Sequence, residues 1–151
     1  MMGRLSLLKC DAAGTVTIEL ALIAPLLAAM LIGLVDLSTA YSDKLRLEQV
    51  AQRTIEKVQQ KGFTVDMKAA LETEAEAEAG AGADADLTFW LECNGAKVTD
   101  YDGGCSSGQP YARYVQLDIQ KDVTPVIIAK FAGSNSDGTI TVHGIAGIRI
   151  Q

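Results

Sequence analysis

Glu19 is the residue in this sequence whose chemistry is hardest to explain by ordinary packing. It is the single charged side chain in the run from Gly14 to Val35, GTVTIELALIAPLLAAMLIGLV, which Asp36 closes. An acid at the centre of a membrane-spanning helix costs about 2.5 kcal/mol or more on insertion scales. An intramembrane acid is therefore a functional candidate by default. Glu19 also lies five residues after Gly14, which ends a short basic segment carrying Arg4 and Lys9. Glycine leaves the backbone open to a peptidase, because no side chain stands in the way. Cutting after Gly14 would put a free α-amine on Thr15, roughly 6 Å along a helix axis from Glu19. The spacing thus describes a processing site at Gly14, Thr15 and Glu19 with an acid–amine pair beside it. The plainer reading is a signal anchor that tolerates one acid near its cytoplasmic edge.

The other reactive residues point to structure. Cys93 and Cys105 follow the apolar run and Cys10 precedes it. If the run spans a membrane, Cys10 is on the opposite side, and the other two pair in an oxidising compartment. No histidine or second cysteine pair stands near them to complete a metal site. His143, the one histidine, falls on the polar side of a strand pattern and reads as a surface residue. Thr99-Asp100-Tyr101-Asp102-Gly103 has two of the acids of a calcium loop but neither the full alternation nor a terminal glutamate, so a plain turn is expected. There is no phosphate-binding loop, nucleophile elbow or dinucleotide fingerprint. No enzyme site, cofactor or metal is expected.

The elements that must position Glu19 follow from the patterning. From Thr15 to Asp36 a helix would be roughly 32 Å long, close to the roughly 30 Å hydrocarbon core of a bilayer. Pro25 lies inside it, a position that membrane helices accept when neighbours satisfy the freed carbonyl. Ser38-Thr39-Ala40 leaves a small-x-small alternative, cleavage by an ordinary signal peptidase after Ala40. Leu47, Val50, Ala51, Thr54, Ile55 and Val58 then recur on one helical face. Gly62 is the expected C-cap. One helix from Thr15 to Lys61 is predicted, apolar all round in its first half and amphipathic in its second. Residues 64–79 predict a weaker helix with a solvated acidic face, dissolving into a linker over AGAGADAD. Three stretches alternate with period two, LTFWLEC (87–93), RYVQLDIQK (113–121) and TITVHGIAGIRIQ (139–151), and predict an antiparallel sheet covered on one face. Thr124 and Pro125 open a predicted short helix over 126–131, ended by Gly133, and a turn follows at 133–138. The first 14 residues carry +1, so the remainder carries −7 of the net −6. The basic end places the N-terminus in the cytoplasm, and the acidic body argues against nucleic acid, whose binders show a basic face.

A short basic leader ending in Gly14, with Glu19 at the fifth position of a long apolar helix, resembles the type IV prepilin signal. Within that group the sequence resembles the TadE-like pseudopilins of tight-adherence (Tad, or Flp) pilus systems. The carrying residues are the GTVTIE junction, ALIAPLL and Asp36, with a distal cysteine pair and the layout YVQLDI, TPVI and an Ile-rich last strand. Major Flp pilins are far shorter and tend to have Tyr after the glutamate, whereas Leu20 follows Glu19 here and a whole domain follows the helix. The resemblance implies a minor component of a Tad-type pilus, cut after Gly14 by a prepilin peptidase. Its implied partners are other pilins or pseudopilins, the Tad inner-membrane platform and secretion ATPase, and membrane lipid. The implied location is the bacterial inner membrane, single-pass with the C-terminal domain outside the cytoplasm, or the surface pilus itself. Glu19 and Pro25 would act in assembly. The fold class expected is α+β: leader 1–14, transmembrane or assembly helix 15–36, amphipathic continuation 37–61 and an extracytoplasmic domain over 62–151. The alternative is a single-pass anchored extracytoplasmic ligand-binding domain with no filament role.

Overall fold

The computed structural model describes the backbone of residues 12–126 and 134–150 and the side chains of 17–126 and 134–150. The expected leader, apart from its last residues, Cys10, and the short helix expected after Val126 lie outside the described residues.

One helix, α1 (Ala12–Lys61), runs without a break through Pro25. It begins three residues before the expected Thr15, so Gly14 is a helical residue. Gly62, with φ +80°, ends it as its C-cap. A 3-10 turn (Val65–Met67) leads into α2 (Lys68–Ala79). The strands are β1 (Ala83–Cys93), β2 (Ala96–Val98), β3 (Tyr111–Val123) and β4 (Ile140–Arg149). They form one antiparallel sheet in the order β2-β1-β3-β4, and α1 and α2 pack on it. The arrangement is α+β, as its patterning predicts.

The period-two alternation explains the sheet. Leu87 and Leu91 of β1, Val115, Leu117 and Ile119 of β3 and Val142 of β4 are buried. All of these but Leu91 meet Leu47, Val50, Ala51, Ile55 and Val58 of α1 and Leu71, Ala75 and Ala79 of α2 in one core. Thr54 sits at the centre of the α1 stripe, and its Oγ1 is the one buried side-chain oxygen or nitrogen among the described residues without a hydrogen-bond partner. Leaving such a group unmade costs about 1–3 kcal/mol. Its methyl group maintains the packing that its hydroxyl weakens.

Two sequence expectations are corrected. Residues 83–86 are strand, not linker: Ala83 and Ala85 alternate with Asp84 and Asp86, and register continues from Ala83 opposite Lys121. Ala85 is buried, because a small residue is what fits where α2 lies close. Nor is the acidic side of α2 simply solvated. Glu72 accepts a hydrogen bond from the Leu87 amide at 2.8 Å, and Glu76 accepts one from the Ala85 amide at 3.4 Å. These amides face away from β3, and β2 covers β1 only from Leu91 onward. The glutamates therefore close an otherwise open sheet edge. Glu74 and Glu78 instead bind Lys57 of α1 at 2.6 and 3.3 Å. The Lys57 hydrogen bond holds the Glu74 carboxyl below the usual carboxylate range, and Glu74 in turn raises the Lys57 ammonium. With Glu74 exposed and Lys57 only half-buried, this clamp contributes little to stability.

β4 meets α1 at Gly144. A Cβ there would lie 2.3 Å from the Leu47 carbonyl carbon and 2.5 Å from the Glu48 amide nitrogen. Those are backbone atoms in a continuous helix and cannot rotate away. Gly144→Ala should therefore destabilise the domain by about 3 kcal/mol or more, the upper range for overpacking. Thermal unfolding of the full chain in detergent, followed by circular dichroism, checks this. Gly147→Ala is the control, since its Cβ would meet nothing closer than 3.4 Å.

Candidate functional site

The first half of α1 is apolar on every side, and up to Val35 none of its described side chains is buried. Leu20, Leu22, Leu26, Met30, Leu34 and Leu37 are all more than 60% exposed. A helix hydrophobic all round is one that something else buries, and exposed apolar surface on this scale marks an interaction or membrane site. It is the one candidate membrane span among the described residues, consistent with single-pass anchoring. Glu19 lies on this rod, exposed, one helical turn beyond Thr15, in the i, i+4 relation that puts two residues on one face. Pro25 is within the continuous helix. It donates no amide hydrogen bond, so one carbonyl in the preceding turn is open to a neighbour.

The rod becomes a domain helix between Asp36 and Ala40. Asp36 Oδ1 accepts the Val126 amide at 2.7 Å, and Asp43 pairs with Lys121 at 3.6 Å. Ala40 is the first core residue of α1. The alternative cleavage motif Ser38-Thr39-Ala40 thus lies inside an unbroken helix, with Ala40 buried.

The far end of the domain is pinned differently. Cys93 and Cys105 form a disulfide with Cα atoms 5.5 Å apart. Asn94 (φ 52°) and Gly95 (φ 82°) make the two-residue turn from β1 to β2, because both central positions of such a turn need positive φ. Tyr101 is buried in the loop that follows. It packs against Phe89 at 5.2 Å and Phe63 at 5.4 Å, and these two rings lie 5.3 Å apart. Burial pushes the Tyr101 phenol up from its ordinary pKa. Arg113 donates to the Tyr101 and Gly103 carbonyls at 3.1 and 3.2 Å. The Asp100 region is a turn, its carboxylate accepting the Gly103 amide at 3.1 Å. No group of three potential metal ligands occurs among the described residues. His143 sits on the outer sheet face beside Asp118, Nδ1 to Oδ1 3.2 Å.

Two features were missed in the sequence. Trp90 stacks on Tyr114 across β1 and β3, centroids 5.3 Å apart, and Lys97 of β2 covers Trp90 at 4.0 Å. Phase alternation puts Trp90 and Tyr114 on the same outer face, but only register makes them opposite. The second is β2, whose signal was the Asn94-Gly95 pair.

Removing the disulfide should destabilise the domain by a little under about 3 kcal/mol on the chain-entropy model for a loop of this length. Denaturant unfolding of the Cys93→Ser, Cys105→Ser chain against wild type measures it. Two free thiols in non-reduced protein recovered from the periplasm would mean that the bond does not form there.

Residues 14–55 match the family model described as TadE-like protein. The match begins at Gly14, covers the apolar rod with Glu19 and Pro25, and ends within the core-packing half of α1. Comparison with curated proteins and with solved structures finds no match. The TadE-like family is a structural, pilus-associated family and not an enzymatic one. Over the segment 14–55, rather more than a quarter of its length, the chain is similar to TadE-like proteins.

Proposed function

We propose that the chain is a minor pilin or pseudopilin of a Tad-type pilus assembly machine, helping to initiate, prime or tip the filament for adhesion or secretion. The observation that carries this is the form of α1. Its apolar half, with one acid near its start, continues as a single helix into the half that carries the domain. A mere anchor needs no such stiff continuity, whereas a subunit that stacks by its helix does.

In this reading a prepilin peptidase cuts after Gly14, and the mature chain begins at Thr15. It sits in the inner membrane with the domain outside the cytoplasm, beside other pilins, the platform proteins and the secretion ATPase. Glu19 then seeks a cation at its own depth, since an isolated buried carboxylate is unfavourable. A staggered neighbour brings its Thr15 amine level with Glu19. Such a pair sets register between subunits more than it adds stability, because buried ion pairs often break even. Pro25 supplies an open carbonyl in the same packing zone.

Glu19→Leu should leave membrane insertion and Gly14 cleavage in place and abolish co-purification with the other pilus components. Amino-terminal sequencing of the membrane fraction reads the cleavage, and a start at Tyr41 would remove the rod and end the proposal. Wild-type recovery of the Leu variant with the complex would leave Glu19 as a tolerated acid.

A further inference from the structure

One end of the sheet faces back along α1 toward the apolar rod. There β1 begins, β3 ends and β4 begins, since Ala83 lies opposite Lys121 and Val123 opposite Ile140. Val126 lies beside the end of the apolar run, its amide held by Asp36 at 2.7 Å. Asp36 closes the apolar run, so Val126 lies at the level where α1 leaves the hydrocarbon. Val126 is 71% exposed, beside a buried Pro125. Tyr41 is 60% exposed and lies five residues on, roughly 7.5 Å along the axis. That is about the thickness of one headgroup layer, the zone where tyrosine collects.

We propose that the domain rests on the membrane at Val126, which seats in the headgroup layer of the bilayer that α1 crosses. The inference rests on the spanning role of α1 proposed above. It gives the domain a second membrane contact, joined to the first by the Asp36–Val126 hydrogen bond, and so fixes its tilt on the bilayer. The contact is apolar. Asp84, Asp122 and Asp137 line a cleft at the same end of the sheet, and Lys121 beside them already faces Asp43. That acidic rim suits zwitterionic lipid and repels anionic headgroups.

The test places a single tryptophan in the full chain, with Trp90→Phe as background, in phosphatidylcholine vesicles whose acyl chains carry bromine. Leu27→Trp reports the span, Val126→Trp the proposed contact and Ile145→Trp the outer sheet face, where Ile145 is exposed. The last also controls for tryptophan's own liking for interfaces. The expected result is strong quenching at position 27 and, at 126, quenching about twofold or more above that at 145, as befits a residue at the hydrocarbon edge. Quenching at 27 with equal, weak quenching at 126 and 145 overturns the contact and leaves the span standing. A blue-shifted but unquenched tryptophan at 126 also overturns it, in favour of a protein neighbour. No quenching at 27 removes the span and this inference with it.

Discussion

The approach of α1 to β4 at Gly144 is the constraint on which the rest of the molecule depends. With no Cβ at that point, the strand backbone lies against the backbone of Leu47 and Glu48. Leu47 is thereby fully buried, and the helix axis is fixed over the β3–β4 half of the sheet. The β1 half is left for α2, whose small residues Ala75 and Ala79 let it lie equally low. Glu72 and Glu76 then come within reach of the β1 edge amides, and Glu74 and Glu78 within reach of Lys57. A bulkier residue at 144 would lift α1, and the Lys57 contacts with Glu74 and Glu78 would open with it.

The same contact aims the rod. Because α1 is continuous, seating its second half on the sheet sets the direction in which the first half leaves. The two halves use similar residues and differ in arrangement. Leu47, Val50, Ala51, Ile55 and Val58 are confined to one stripe, with Arg46, Gln49 and Arg53 outside it. Ile18, Leu20, Leu22 and Ile23 cover the circumference. A one-sided stripe can be satisfied by one sheet, whereas an all-round apolar surface needs a surrounding medium or several neighbours. That difference, and not hydrophobicity as such, decides which half folds with the chain.

What was legible in the sequence was whatever depends on local period. The helix, its Gly62 end and the alternating faces of β1, β3 and β4 are set by residues within a few positions of one another. What was not legible depends on partners far apart in the chain. Ala83-Asp84-Ala85-Asp86 alternates as well as any strand, but alanine is a weak strand former, and only the roof provided by α2 makes small residues suitable there. Tyr101 looked like part of a polar turn until Phe63 and Phe89 were brought to it. The role of Gly144 was similarly hidden. The glycine was visible on the inner face, but its purpose needs Leu47, nearly a hundred residues earlier. For the candidate site, Gly14, Glu19 and Pro25 were visible because they interrupt an apolar run, while the Asp36–Val126 hydrogen bond was not.

The domain is held to α1 at both ends by different means, and this has mechanical consequences. At the rod end the ties are polar and near the surface: Asp36 to Val126 and Asp43 to Lys121. At the far end the tie is aromatic: Phe63, just past the end of α1, packs on Phe89 and Tyr101, and the Cys93–Cys105 bond with Arg113 holds the loop that carries Tyr101. Between them lies the apolar seam from Leu47 to Val58. Two partly exposed polar ties hold less than a continuous apolar seam, so load reaching the domain through the rod is resisted chiefly by the seam and the far cluster. The rod end can then adjust to its surroundings while the far end keeps its shape. A subunit whose helix must pack in an assembly while its domain faces outward requires that division.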